Sequence, residues 1–552
     1  MTDELYDNET LWKMYSPKPN PWFSSEVVYE GWGIATFEKP EGTIEGKTKI
    51  LVDETGNLDV VMEYEKLNTD VTIHGTGSFR FLKFLQGDLS KGNSVGIGVG
   101  NINPCSNLVV QTDNGTFTSE GKIFYSQGFG FDSKLGFLIS EGTYKEKATG
   151  NPKYWVLPLT NFISSFHLHY FPLLTQHPLR LFSTPVVPEI TDEKQRNMAL
   201  FAANRANTLI GFYFGESVGY IQPVLDYTEK EEKLKSGQAK RCITALMISE
   251  VTNKLDEAWF PYDYTNLISF AIGVNVGASW IEFRDANGAL VSRKHIHQFK
   301  SEYKREYAVI DEPIHGGLGH LISVASNSPE FGKSYFRVLV AHLVRLQSYS
   351  RQIEDHMDLL CRTFDTLCEE FGLSVQNLAN YLPQDHQMKI DSILNNAREE
   401  IRKLSANSGS DIQPVLQQIE SRIANTKNTD RAFGLAVIDL LKKYQMPDVT
   451  LMEKYYALYP ELEGKSWAKV LSKYRGVAIH TGYFSHEKHD IQDILILEDH
   501  LHDILVRITL KVVGYQGTYQ PRVIHHLVDG KTVDWLNEDT PATELGYKSP
   551  II

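Results

Sequence analysis

One short segment combines an arginine and a histidine in a setting that suits phosphate chemistry. In Tyr474-Arg475-Gly-Val-Ala-Ile-His480 the two residues are separated by glycine and small apolar side chains. Arginine stays charged and can hold phosphate oxygens in a bidentate fork. Histidine titrates near neutral pH and can give or take a proton. The pair therefore suits cleavage of RNA, whose own 2′-hydroxyl supplies the nucleophile, and neither role requires a metal ion.

The spacing of this pair recurs elsewhere in the chain. Arg337 with His342, and Arg351 with His356, have the same separation. Both lie within long amphipathic patterns, where we interpret them as ordinary core or surface side chains. Five helical steps rotate a side chain by about 140°, so the glycine-flanked pair needs a distorted helix end or a second subunit to act together. We interpret that pair as catalytic, with a structural histidine as the alternative.

Two glycine-containing motifs resemble known sites but lack the elements that such sites need. Gly215-Glu-Ser-Val-Gly219 fits a serine-hydrolase nucleophile elbow, yet residues 220–225 indicate a strand where the elbow needs a helix. Gly96-Ile-Gly-Val-Gly100 is not followed by the helix of a dinucleotide-binding turn. We therefore expect no serine hydrolase and no cofactor.

Histidine pairs offer metal ligands but no complete set. His167 with His169, and His295 with His297, would each share one face of a strand. Neither pair has a clear third ligand. A further group at positions 480, 486, 489, 500 and 502 lacks the spacing of a metal-dependent nuclease motif, although that class stays an alternative. We expect no metal site.

Composition indicates a folded chain of several domains. The 552 residues are 42% hydrophobic and 22% charged, which is typical of globular proteins. The net charge of -14 argues against a protein that coats nucleic acid, so RNA would bind locally, with Lys473 and Tyr474 as candidate contacts. Few, scattered cysteines and an acidic N-terminus predict a cytoplasmic protein that does not associate with membranes.

Short β-branched and aromatic runs dominate the first 330 residues, and turn residues divide them into strands. Three hairpins are predicted, around Asp53–Asn57, Asp113–Gly115 and Asp285–Gly288. The apolar run Leu267–Ile281 is too short to cross a bilayer, and we predict it to be a buried strand.

The predicted fold class is multidomain α+β, with a β-rich, sandwich-like N-terminal region followed by an all-α helical bundle. From Ser334 the apolar period changes to three or four residues, as in amphipathic helices. Later helices are predicted at Asp385–Leu404, Ile412–Ala424 and Arg431–Tyr444, and around Leu497–Ile508. The predicted domains are an N-terminal arm (1–25), a first β-rich domain (26–165), a second one with a helical insertion near 191–207 (166–330), a helical domain (334–515) and a C-terminal tail (516–552).

The helical half, from about Tyr335 to Tyr519, resembles the HEPN domain of the ApeA-like family of bacterial anti-phage defence proteins. The resemblance rests on the Arg475 segment quoted above and on a helix ending Leu-Lys-Val-Val-Gly-Tyr-Gln-Gly-Thr-Tyr519. Gly42-Thr-Ile-Glu-Gly46 and Tyr154-Trp-Val-Leu-Pro-Leu-Thr-Asn161 also look like the N-terminal region of that family.

The resemblance implies a metal-independent endoribonuclease that acts as a homodimer, with Arg475 and His480 of both subunits lining one cleft. It also implies a role in abortive infection, in which the β-rich region senses a phage or cellular trigger. Active members commonly have a polar residue after the motif arginine, and this chain has Gly476. Two alternatives therefore stay open: an inactive HEPN scaffold that binds a partner, and a β-rich ligand-binding protein, for example for carbohydrate, whose helical half only dimerises.

Overall fold

The computed structural model divides the chain into two compact units, Met1–Gly332 with Val513–Gln520, and Lys333–Val512 with Pro521–Ile552. The first unit contains a large antiparallel sheet, and the described residues of the second are mainly helical, which confirms the mixed α+β class. The structure describes residues 26–38, 41–52, 58–63, 105–126, 134–147, 150–163, 210–215, 217–224, 227–251, 260–296, 302–310, 317–347, 353–373, 375–377, 383–424, 428–430, 433–444, 475, 491–516, 519–520 and 522.

The first unit contains one continuous antiparallel sheet. Its strands are β1 (Glu26–Glu38), β2 (Glu41–Val52), β3 (Leu58–Glu63), β4 (Cys105–Thr112), β5 (Gly115–Ser126), β6 (Lys134–Glu146), β7 (Tyr154–Thr160), β8 (Ile210–Phe214), β9 (Ser217–Pro223), β10 (Ile243–Glu250), β11 (Trp280–Arg284) and β12 (Leu290–His295). They pair in the order β3-β2-β1-β4-β5-β6-β12-β11-β7-β10-β9-β8. Because β3 also pairs with β6, strands β1 to β6 close into a ring.

Alternate side chains of the closed ring point inward and form its core. Tyr29 stacks on Tyr144 with ring centroids 4.3 Å apart, and Phe117 lies 5.6 Å from Tyr29. A Cβ added at Gly142 would lie 2.2 Å from the Phe117 ring, so the absence of a side chain there allows the aromatic core to pack. The other buried members of this core are Ala35, Ile50, Leu58, Val60, Met62, Leu108 and Val110.

The three predicted hairpins are confirmed, because β2 pairs with β3, β4 with β5 and β11 with β12. In the third turn the carboxylate of Asp285 accepts hydrogen bonds from the backbone N–H groups of Asn287 and Ala289. Gly288 then adopts a φ of 83°, which glycine reaches without steric cost. Local turn chemistry thus fixes this hairpin.

The prediction of a buried strand at Leu267–Ile281 is wrong. Residues Phe260–Ile272 form a helix, α2, which follows α1 (Tyr227–Lys235) in the chain, and only Trp280–Arg284 is a strand. Gly273 ends α2 with a φ of 64°. Every residue from Leu267 to Ile272 is buried, so this part of α2 lacks the polar face that distinguishes a helix from a buried strand. A further helix, α3 (Gly317–Asn327), follows later in this unit.

The second unit contains the helices α4 (Ser334–Leu346), α5 (Ile353–Glu370), α6 (Gln384–Ala406), α7 (Gln413–Ala424), α8 (Phe433–Lys443) and α9 (Ile491–Val512), and a strand pair, β13 (Val375–Asn377) with β14 (Asn428–Asp430). The change of period at Ser334 and the helices predicted after it are confirmed. Along α5, Met357, Leu360, Phe364 and Leu367 are buried, as their spacing predicts.

Several predictions fall outside the described residues. The helix near 191–207, the glycine motif at 96–100 and residues 523–552 of the tail are among them. Among the helices that the structure describes, none is long and apolar enough to cross a membrane.

Candidate functional site

Arg475 is held by residues from two other helices of the second unit. Its Nη2 lies 2.9 Å from Oδ2 of Asp365 on α5. Its guanidinium carbon lies 4.6 Å from the centre of the Phe433 ring, which is the first residue of α8. A carboxylate at one edge and an aromatic ring at one face fix the orientation of a planar guanidinium.

The Arg475 side chain is still 35% exposed, and Asp365 occupies only one edge of its donor fork. Its Nε is buried and forms no hydrogen bond with a described residue. A guanidinium has five N–H donors in a fixed plane, so donors remain for an anion after the bond to Asp365 is made. The arrangement can present an oriented positive charge to a phosphate oxygen.

A buried thiol lies beside this arginine. Cys361 is on α5, one helical turn before Asp365, and its side chain is fully buried. Burial raises the pKa of the Cys361 thiol to about 12, although the positive charge of Arg475 acts in the opposite direction. The thiol therefore stays protonated and packs as a small apolar group.

The other residues predicted for this site lie outside the described residues. These are the catalytic candidate His480 and the RNA-contact candidates Lys473 and Tyr474, together with Gly476. The structure thus describes the arginine of the pair and the residues that hold it.

The first competing pair has a packed histidine. Arg337 and His342 both lie on α4, and Nδ1 of His342 is hydrogen bonded to the hydroxyl of Thr363 on α5, at 2.9 Å. Partial burial lowers the pKa of His342, and the nearby Arg345 and Arg362 lower it further. A neutral histidine that is bonded to a neighbouring helix suits a structural role, as its amphipathic context predicts.

The second competing pair has a histidine bound to a carboxylate. His356 lies near the start of α5 and is 9% exposed, and its Nδ1 is 2.9 Å from Oε1 of Glu498 on α9. Arg351 lies outside the described residues. The His356–Glu498 pair joins α5 to α9 inside the second unit and was not predicted from the sequence.

Helix α9 carries more buried charge than its apolar period suggests. Asp499 forms an ion pair of 2.8 Å with Nε of Arg522, and Asp503 accepts the backbone N–H of the same arginine at 2.7 Å. Nη1 of Arg522 also donates to the backbone oxygen of Leu346, at 2.6 Å. The four-residue spacing of Asp499 and Asp503 places both carboxylates on one helix face, and this spacing could have predicted a shared cationic partner.

Of the predicted histidine pair His295 and His297, the structure describes His295, which is a core residue of the sheet. It is fully buried, and its Nε2 is 2.9 Å from the hydroxyl of Tyr29. Burial lowers the pKa of His295 well below its usual value, and the charge of Arg293 lowers it further. His297 and the pair His167 and His169 lie outside the described residues. Within the described ranges, no group of three or more His, Cys, Asp or Glu side chains could hold a metal ion.

A buried carboxylate next to this histidine binds two arginines. Oε2 of Glu282 accepts a hydrogen bond of 2.8 Å from Arg284, and Oε1 accepts bonds of 2.8 and 3.0 Å from Arg293. The indole N–H of Trp280 donates to Oε1 as well, at 3.1 Å. The cluster lies on the adjacent strands β11 and β12 and neutralises charges that would be costly to bury alone.

The serine-hydrolase motif forms a hairpin. Strand β8 ends at Phe214, Gly215 turns with a φ of 63°, and β9 begins at Ser217. The hydroxyl of Ser217 donates to the carboxylate of Glu250, at 2.9 Å. The strand predicted after the serine is confirmed, and an elbow requires a helix at that place.

Comparison of the chain with protein-family models, curated proteins and solved structures finds no match.

Proposed function

We propose that this protein is a metal-independent endoribonuclease of the HEPN type, with Arg475 and His480 as its catalytic residues and Lys473 and Tyr474 as RNA contacts. The observation that carries the proposal is the fixed orientation of Arg475 between Asp365 and Phe433. A phosphate-binding arginine acts best when its geometry is set before the substrate arrives.

The proposed chemistry uses the substrate's own nucleophile. A 2′-hydroxyl attacks the adjacent phosphorus, the bond to the 5′-oxygen breaks, and the products carry a 2′,3′-cyclic phosphate and a 5′-hydroxyl. His480 takes the proton from the 2′-hydroxyl or delivers one to the 5′-oxygen. Arg475 stabilises the charge that develops on the phosphate oxygens.

The proposed function also includes a fold, a cellular location, an oligomeric state and a trigger. The helices α4 to α9 would belong to an HEPN bundle, and the protein would act in the cytoplasm as a homodimer. The β-rich unit would sense a phage or cellular trigger and release the ribonuclease during abortive infection. The net charge of -14 supports local binding of RNA, since most of the surface repels a polyanion.

One observation favours a second candidate function. Arg475 already has a carboxylate partner in Asp365, and an arginine in an ion pair can serve only to join helices. With Gly476 in place of a polar residue, this supports an inactive HEPN scaffold that binds a partner.

An RNA cleavage assay in EDTA distinguishes the proposed ribonuclease from an inactive scaffold. The ribonuclease cleaves RNA without added metal and leaves 2′,3′-cyclic phosphate ends, which mass spectrometry of the fragments identifies. The scaffold leaves RNA intact under the same conditions, with or without phage lysate as a source of the trigger.

A further inference from the structure

The hairpin formed by α6 and α7 exposes much of the apolar surface that the structure describes. Ten large apolar side chains are exposed among the described residues, and seven belong to Gln384–Ala424. None of the 23 residues of α6 is buried. These seven are Met388, Ile390, Ile393, Leu404, Ile412, Val415 and Ile419.

The two helices already pack on each other through a different face. Leu416 of α7 is buried, and Leu394 and Ile401 of α6 are half-buried. At about 100° per residue, Leu394 and Ile401 share the face of α6 that carries Arg402. Glu420 of α7 lies 2.6 Å from Nε of Arg402 on α6. We call this face of α6, together with the facing side of α7, the seam; the seven exposed side chains lie outside it.

Six of the seven exposed side chains form stripes with the spacing of a helix–helix contact. On α6 the stripe contains Ile390, Ile393 and Leu404, with the half-buried Ala397 between them. These positions follow steps of three, four and seven residues, the spacing of a coiled-coil seam. At about 100° per residue, the stripe lies roughly 90° around α6 from the seam.

The second stripe contains Ile412, Val415 and Ile419, at steps of three and four residues. Around α7, this stripe is rotated from the seam in the same direction as the α6 stripe is around α6, and by a similar angle. In an antiparallel pair of helices, this brings both stripes to the same side of the hairpin. Met388 is 62% exposed but lies on the opposite side of α6.

We propose that this face of the hairpin binds the same face of a second copy, so that two hairpins form an intermolecular four-helix bundle. The proposal names a surface for the homodimer included in the proposed function and rests on that part of it, but not on RNA cleavage. A helical spacing of apolar residues calls for a helical partner, and a second hairpin supplies two helices with the same spacing. The contact is then isologous, as in most dimers.

The charge of this face permits a second copy, and its area suits one. The chain carries a net charge of -14, so two copies repel each other over most of their surfaces. Helix α6 carries four acidic and four basic side chains and is locally neutral. The six stripe side chains leave roughly 500 Å² of apolar surface per hairpin. Complete burial of two such faces would remove about 1,000 Å² from solvent, which is about the minimum expected of a biological interface.

The mass of the full-length protein in solution, measured by light scattering, tests the proposal. The parent is expected at twice its chain mass of 62.7 kDa. Ile393→Asp and Val415→Asp each place a charge in the contact and should weaken the dimer by on the order of a hundredfold. Met388→Asp changes an equally exposed residue on the other side of α6 and should leave the dimer intact.

A crosslink covers the case in which an aspartate variant fails to fold. Ala397 lies at the middle of the α6 stripe, so Ala397→Cys should give a covalent dimer under mild oxidation, while Met388→Cys should match the parent. A monomeric parent overturns the homodimer as well as this surface. A dimer that survives Ile393→Asp, or cysteines that crosslink equally at both positions, overturns the surface alone. RNA cleavage by the same samples is scored separately and tests the proposed activity.

Discussion

Asp365 and Arg475 are 110 positions apart in the sequence, yet Oδ2 of the aspartate lies 2.9 Å from Nη2 of the arginine. The contact joins α5 to the segment that carries the proposed catalytic pair. The Phe433 ring covers one face of the same guanidinium, so its orientation is set from two directions. An arginine held in this way can stabilise a charged transition state without first having to be ordered.

The first prediction concerns the residue that orients this arginine. Asp365→Asn keeps the shape of the side chain but removes its charge, so Arg475 loses its fixed orientation. We expect the rate constant for RNA cleavage to fall about tenfold with little change in KM, and Asp365→Glu to restore part of the loss. Single-turnover cleavage measures this.

The matched control is Asp358→Asn on the same helix. Asp358 is similarly exposed, and its carboxylate forms an ion pair of 2.9 Å with Arg362. We expect it to cleave RNA at the parental rate. Equal rates for Asp365→Asn and Asp358→Asn would show that Asp365 does not position the arginine.

The second prediction concerns the pH dependence of stability at His295. Burial keeps the folded-state pKa of His295 well below its ordinary value of 6.5, so the folded protein holds the imidazole neutral. The unfolded chain takes up a proton as the pH falls through about 6.5. The stabilising contribution is therefore present above that pH and is lost below it, by up to about 1.4 kcal/mol per pH unit.

His295→Gln should remove this part of the acid sensitivity between about pH 6.5 and 5. The measurement is the unfolding midpoint in urea at several pH values, followed by a signal from the sheet. His386→Gln, which changes an exposed histidine on α6, serves as the control and should keep the parental slope. A parental slope in His295→Gln as well would contradict the prediction.

The third prediction concerns the buried carboxylate Glu282. Glu282→Gln removes the negative charge that faces Arg284 and Arg293 inside the sheet. The buried Arg284 and the partly buried Arg293 then lose their counter-charge, and we expect the free energy of unfolding to fall by about 3–5 kcal/mol. Denaturant unfolding measures the change.

An exposed ion pair provides the comparison for Glu282. Glu229 pairs with Lys233 one turn away on α1, in contact with solvent. Glu229→Gln should change stability by about 0.5 kcal/mol or less. If Glu282→Gln lowers the free energy of unfolding by no more than Glu229→Gln does, the buried cluster does not stabilise the sheet as proposed.

Local sequence patterns predicted the elements of this fold better than the contacts between them. The turn residues Asp285 and Gly288 specify a hairpin by their own chemistry, and the apolar period of three or four residues along α5 specifies which face is buried. The run Leu267–Ile281 was predicted wrongly because burial on all sides removes the period that separates a helix from a strand.

The candidate site was predictable only in part for a related reason. Arg475 could be chosen from its glycine-flanked context, but Asp365 and Phe433 have no pattern that links them to it. The same holds for His356 and Glu498, whose 2.9 Å contact spans 142 positions. Contacts of this kind depend on how helices pack, which spacing along the chain does not encode.

The most direct test of the central claim is a comparison of the proposed pair with the competing pair of equal spacing. Single-turnover cleavage of RNA in EDTA is measured for the parent, for Arg475→Ala and His480→Ala, and for Arg337→Ala and His342→Ala. We expect the first two variants to lose on the order of a hundredfold or more in rate, and the other two to cleave within a few-fold of the parent. Parental rates in Arg475→Ala and His480→Ala, or a parent that cleaves no RNA, would contradict the assignment.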